Sequence, residues 1–145
     1  MGKVRHVRPS LMYEVKQVEL AVRALMDEVL RPAGVTTLQY TALTVLAGRD
    51  GLTSAELARN SFVTAQTMTD MVAALERREL IVREQDPAHG RRLLISLTDK
   101  GRAFLDEHAA EVAAIEERMV SRLDKNERTA LHDLLNRCRA ALAGS

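Results

Sequence analysis

Aromatic residues are almost missing from this chain. Tryptophan is absent, and two tyrosines and two phenylalanines make up 3% of the 145 residues. That argues against the aromatic platforms on which single-stranded nucleic acid or sugars stack. Cysteine occurs once, at Cys138, which leaves no intrachain disulfide and no multi-cysteine metal site. No charge sign dominates. Lys+Arg number 21 and Asp+Glu 20, for a net charge of +1, unlike a histone-like protein or an acidic tail. No apolar run approaches the roughly 20 residues that span a bilayer. The basic opening, MGKVRHVRPS, lacks the apolar stretch that follows in a secretory signal. The expectation is a cytoplasmic protein with no membrane partner.

What is present is ordinary for a globular domain: 46% hydrophobic and 28% charged residues. The length fits one domain, or a small domain with dimerisation arms. Periodicity predicts six helices and one β-hairpin. A long helix runs from about residue 10 to 31, with Leu11, Val15, Val18, Val22, Leu25 and Val29 in a heptad-like seam. Pro32 is expected to close it. Capping boxes at Thr36/Gln39 and Thr53/Glu56 open a second helix and a short third one. Residues 60–62 form a tight connection. A fourth helix over 64–78 carries Met68, Met71, Val72 and Leu75 on one face, with Ala65, Gln66, Thr69 and Asp70 opposite.

Residues 80–83 and 93–97 read as two strands joined by a long loop with turn chemistry at 85–90. Thr98 caps a long fifth helix. Asp124 to Glu127 starts a sixth, in which Leu131, Leu134, Leu135, Cys138 and Leu142 recur at helical spacing. Cys138 is expected to be a buried small hydrophobe in that row.

The predicted fold is mainly α with a small β-hairpin wing. It is a winged helix-turn-helix, with N- and C-terminal helices forming a dimerisation region. The division is 1–35 for the N-terminal dimerisation helix, 36–102 for the winged DNA-binding region and 103–145 for the C-terminal dimerisation helices. A helix-turn-helix carries its second helix into the DNA major groove. The apolar seams outside the winged region are too extensive to be buried within it. Pairing with a second copy would cover them and supply two reading heads.

The stretch 75–101, LERRELIVREQDPAHGRRLLISLTDKG, resembles the wing signature of the MarR family of transcriptional regulators. The matching residues are Leu75-Glu76, Asp86-Pro87, Gly90-Arg91-Arg92, Leu97-Thr98 and Gly101. The upstream LTSAELARNSFVTAQTMTDMVAALE, 52–76, is similar to the family's helix-turn-helix, and the order of the outer helices fits as well. Two positions depart. Glu79 stands where glycine is common, which suggests a different helix ending. His89 stands where an acid often braces the wing arginine, so a different local wing geometry is expected. The cysteine through which some members of the family sense peroxide, in the first helix, has no counterpart.

The resemblance implies DNA contacts from Thr64, Ala65, Gln66, Thr67 and Thr69 at the start of the fourth helix. Gln can bond adenine, and Thr can offer its methyl to thymine. Thr64 doubles as the helix cap. Wing contacts would come from His89, Arg91 and Arg92, since guanidinium suits phosphate or a narrow minor groove. Arg77, Arg78 and Arg83 read as backbone contacts or as surface ion pairs with nearby glutamates. Asp70 repels phosphate and is expected to brace an arginine. A small aromatic effector, as many such regulators bind, would use Tyr13, Lys16 and Tyr40.

No histidine pairs at i,i+4 with another histidine or cysteine, so no metal is implied. No nucleophile, base and orienter converge, so no enzyme and no cofactor are implied. The functional expectation is a homodimeric regulator, a repressor, of a pseudo-palindromic double-stranded operator. Residues 53–102 hold eight basic and seven acidic residues, only +1 net. That near-neutrality motivates an alternative, a winged-helix protein-interaction module without DNA binding.

Overall fold

The computed structural model describes residues 10–143. The basic segment 1–9, with His6 and Pro9, lies outside the described residues. Six α-helices and one hairpin follow in order: α1 Leu11–Leu30, α2 Thr37–Gly48, α3 Ser54–Asn60, α4 Ala65–Arg77, β1 Ile81–Asp86, β2 His89–Leu97, α5 Asp99–Met119 and α6 Lys125–Leu142. Every α-helix among the described residues opens on a side-chain cap. The oxygens of Ser10, Thr36, Thr53, Thr64, Thr98 and Asp124 each accept the backbone N–H three residues on. Each cap satisfies a donor that the helix leaves unpaired and contributes about 1 kcal/mol. The boxes at Thr36, Thr53 and Asp124 are reciprocal.

The core lies in the winged region. Leu43, Leu46, Leu57, Met68 and Leu75 are fully buried, and Leu80, Ile81, Ile95 and Leu97 close it from the sheet side. Met26 and Leu30 of α1 and Phe104 of α5 complete it. The hairpin strands pair antiparallel from Ile81↔Leu97 to Gln85↔Leu93. Leu52 adds a short bridge to Ile95, with N···O distances of 3.2 and 2.7 Å. That bridge ties the α2–α3 turn to the wing root.

Several expectations change. The α-helix does close ahead of Pro32, at Leu30, but the chain keeps winding beyond it. After Leu30 the backbone tightens into a 3-10 turn, Arg31–Ala33, and ends at Gly34 with φ of 72°. A proline costs little there, because the first turn of a helix leaves its N–H unpaired anyway. The heptad seam of α1 divides. Leu11, Val15 and Val18 are exposed, Val22, Leu25 and Val29 are half-buried, and the buried residues are Met26 and Leu30. Only the C-terminal part of α1 reaches the core of its own chain. α6 has no buried residue, and Cys138 is exposed rather than packed inside.

The wing is a tight hairpin, not a long loop: only Pro87 and Ala88 separate its strands. Glu79 does not alter the helix ending. It takes the left-handed conformation itself, φ 61°, and the Leu80 N–H bonds to the Leu75 carbonyl at 3.1 Å. That is the six-to-one bond of a Schellman ending, with a non-glycine residue in the strained place.

Candidate nucleic-acid interface

The buried face of α4 fixes which way its other face points. With Met68, Met71, Val72 and Leu75 in the core, Thr64, Ala65, Gln66, Thr69 and Asp70 are exposed and Thr67 is half-buried. Thr64 Oγ1 accepts the Thr67 N–H at 3.1 Å and donates to Thr67 Oγ1 at 3.0 Å. Thr69 donates its hydroxyl to the Ala65 carbonyl at 3.0 Å. Its hydroxyl proton is thus turned back onto the helix. Gln66 carries an outward amide at the helix start, where the N-terminal backbone N–H groups also favour anions. Asp70 forms no ion pair among the described residues. The bracing expected of it falls instead to Glu76.

At the wing, Asp86 pairs with His89, and the Asp86 carboxylate accepts the Ala88 N–H at 2.9 Å. Gly90, Arg91 and Arg92 are extra residues on β2 before the register resumes at Leu93. The irregularity carries both arginines to the exposed tip. Neither forms an ion pair among the described residues, and His89 is exposed beside them. Glu56 feels Arg92 from α3. Its carboxyl is held below the ordinary range, chiefly by the hydroxyl and backbone of Thr53, with Arg49 and Arg92 adding to the field.

The three other arginines separate. Arg77 is exposed at the end of α4. Arg78 is a strut: its Nη atoms donate to the carbonyls of Gly34 and Ala33 at 2.9 and 2.7 Å, with its guanidinium 6.0 Å from the Phe104 ring centre. It ties the end of α4 to the turn between α1 and α2. Arg83 is clasped by Glu76 through two bonds of 2.8 Å. The same bonds lower the Glu76 pKa and raise that of Arg83.

The three residues expected to hold an effector are not gathered. Tyr13 and Lys16 lie on the exposed first half of α1, where Lys16 faces Glu19 at 3.4 Å. Tyr40 is buried in the core, and that burial raises its pKa. Two cavities open instead around Arg23. One, of ≈ 490 Å³, is walled by Asp27, Arg31 and the start of α2. The other, of ≈ 450 Å³, lies between Val22 and Arg23 of α1, Leu38 and Thr41 of α2, and Ser61 and Phe62. The Ser61 hydroxyl is fully buried and is the one such side-chain atom without a hydrogen-bond partner among the described residues. Phe62 is 83% exposed at φ 60°.

The MarR family model matches residues 33–92. The HTH-type transcriptional repressor Rv2887 of Mycobacterium tuberculosis is 34% identical over 113 residues, covering 78% of this chain and 81% of that protein. The chain belongs to the MarR family of transcriptional regulators. Solved MarR-type structures agree. The repressor CouR, bound to a 23-mer DNA duplex, superposes with a TM-score of 0.82 at 30% identity, covering 99% of each chain. Rv2887 in complex with salicylic acid superposes with a TM-score of 0.74 at 30% identity, covering 90% of this chain and 97% of that one.

The span shared with the MarR model runs from just before α2 to Arg92. It takes in the start of α4 and the wing tip, but not α1 or α6. Sequence reading missed Arg23, Ser61 and Phe62 as cavity walls and Arg78 as a strut. The cavity residues come from three separate segments, so no local spacing joins them. Glu76 and Arg83 carried a usable signal: opposite charges seven residues apart across a helix-to-strand corner.

Proposed function

We propose that this MarR-family protein is a cytoplasmic homodimeric repressor of a pseudo-palindromic double-stranded operator. In this reading α4 enters the major groove, and Thr64, Ala65, Gln66, Thr67 and Thr69 face bases or phosphates. Arg91, Arg92 and His89 hold the flanking minor groove, and Arg77 approaches the backbone. Residues 36–102 read DNA, and residues 1–35 and 103–145 pair the two copies. The protein acts by binding and not as an enzyme. The observation that carries the reading is the pairing, in one winged region, of a polar exposed start of α4 with two exposed arginines at the wing tip. The DNA-bound CouR structure supports it. The winged region's small net charge is compatible with binding because two of its arginines, Arg91 and Arg92, stand exposed at the tip without an ion pair among the described residues. The exposed apolar residues of α1 and α6 support pairing.

A small aromatic acid is the effector this fold favours. Val22, Leu38 and Phe62 can flank a ring, and Arg23, which pairs with Glu19 at 2.5 Å in this structure, would exchange that partner for the effector's carboxylate. Ser61 and Phe62 lead directly into α4, so an occupant there would press on the reading helix. The complex of the relative Rv2887 with salicylic acid supports this class. No helix among the described residues is long and apolar enough to cross a membrane.

Selection of binding sites from a random duplex pool tests the proposal. The expected outcome is a pseudo-palindrome with half-sites about 10 base pairs apart. Salicylate, as the first probe, should release the recovered duplex. A folded dimer that enriches no sequence would favour the interaction module, which the near-neutral winged region motivates.

A further inference from the structure

The corner between α4 and β1 holds the one ion pair among the described residues that joins the reading helix to the wing. Glu76 precedes the left-handed residue Glu79 by three positions, and Arg83 follows it by four. Arg83 Nε and one Nη each donate to a different oxygen of Glu76 at 2.8 Å. A two-bond fork of this kind fixes orientation as well as distance. Helix and wing are not flush beyond the corner. A cleft of ≈ 180 Å³ is walled by Thr69 and Val72 of α4, by Leu93 and Ile95 of β2, and by Arg83 itself. Buried Leu80 and Ile81 anchor the wing root. From there the strands run outward to an exposed tip. A hairpin anchored only at its root can rock about that root. The fork is the brace that opposes this motion.

We infer that Glu76 and Arg83 are positioning residues for DNA reading: their fork sets the angle between α4 and the wing so that both meet one duplex, and Arg83 is not itself a phosphate contact. This rests on the DNA-binding reading above. It also accounts for an acid beside a surface that should favour anions. Glu76 repels phosphate, and its charge is matched within the protein by Arg83. The fork's two hydrogen bonds also lower the Glu76 pKa, so the pair persists further into the acid range than an unpaired glutamate would.

The test turns on a sign. Glu76→Gln removes a negative charge near the interface. If charge alone matters, or if a freed Arg83 grips phosphate, affinity rises. If the fork positions the wing, affinity falls. Arg83→Lys keeps the charge and breaks the fork, so it should fall with Glu76→Gln. The side chains are 38% and 40% exposed, so both variants should fold, and circular-dichroism melts check this.

Affinity for a duplex recovered by the selection is measured by fluorescence anisotropy at several salt concentrations. The expected result is a loss on the order of tenfold in each variant, as for residues coupled in one network, with the salt slope unchanged. Equal or tighter binding by either variant overturns the inference. So does an Arg83→Gln slope reduced by about one counterion. If the unaltered protein enriches and binds no duplex, the DNA-binding reading fails and the inference falls with it. If it binds but ignores Glu76→Gln, the inference alone falls.

Discussion

In α4, Met68, Met71, Val72 and Leu75 are all buried, whereas the equally regular row of α6 has Leu134 and Leu135 each 50% exposed and Leu142 88% exposed. The two helices obey the same periodicity and have opposite surroundings. α4 meets α3 and the hairpin root within its own chain. α6 has no buried residue among the described ones. Periodicity shows which residues share a face and says nothing of what covers it. α1 contains both situations within one helix. Its last turns enter the core through Met26 and Leu30, and its first turns expose Leu11, Met12 and Val15.

Breaking the packed half should produce the largest effect. A Cβ on Gly101 would lie 2.2 Å from the Leu80 carbonyl oxygen, which is backbone and cannot swing aside. Gly101→Ala should therefore cost about 3 kcal/mol or more, read by denaturant unfolding. The exposed half responds differently. Replacing Leu134 and Leu135 by Glu should barely change the fold of a chain. It should weaken self-association by at least about a hundredfold in sedimentation and remove the concentration dependence of Tm. If the double variant unfolds at every concentration instead, α6 belongs to the monomer's core and the contrast fails.

Smaller changes sharpen the division. Arg91→Ala at the wing tip should weaken duplex binding by about 1–2 kcal/mol and lower the salt slope by about one, with no change in melting. Glu79→Gly should stabilise the winged region by about 1 kcal/mol, because it relieves a left-handed non-glycine residue. The lost contact to Lys100, at 3.9 Å and exposed, offsets little of that gain.

The smallest effect concerns acid. The folded pKa of Glu76 is depressed by Arg83. Its contribution is therefore present above the ordinary glutamate value and lost as pH falls through the folded one. Hydrogen exchange of β1 amides should rise in that acid range, and Glu76→Gln should remove the dependence.

Local chemistry made much of the molecule legible. The caps at Thr36, Thr53, Thr64, Thr98 and Asp124 can be read from single residues, because a helix start is satisfied within one turn. The buried face of α4 and the wing signature were equally readable. The wing's shape was not. Turn-forming residues at 85–90 suggest a loop, yet cross-strand pairing of Asp86 with His89 carries both strands further. Glu79 shows the same limit, since the chain holds a left-handed glutamate where preference alone would ask for glycine.

The candidate site divides in the same way. The polar start of α4 and the tip arginines were readable because they lie on continuous segments. The expected trio of Tyr13, Lys16 and Tyr40 rests on residue type alone, and the cavities open at Arg23, Ser61 and Phe62 instead.

Residue order alone settled the element sequence, the helix starts and the family, because each rests on contacts within a few residues or on a contiguous pattern. The roles of the arginines were decided by the folded arrangement. Arg78 became a strut, Arg83 a brace, and Arg91 and Arg92 were left outward. A guanidinium has the same chemistry at every position, and only the carbonyls and carboxylates that folding brings within about 3 Å determine whether any of it remains for a partner.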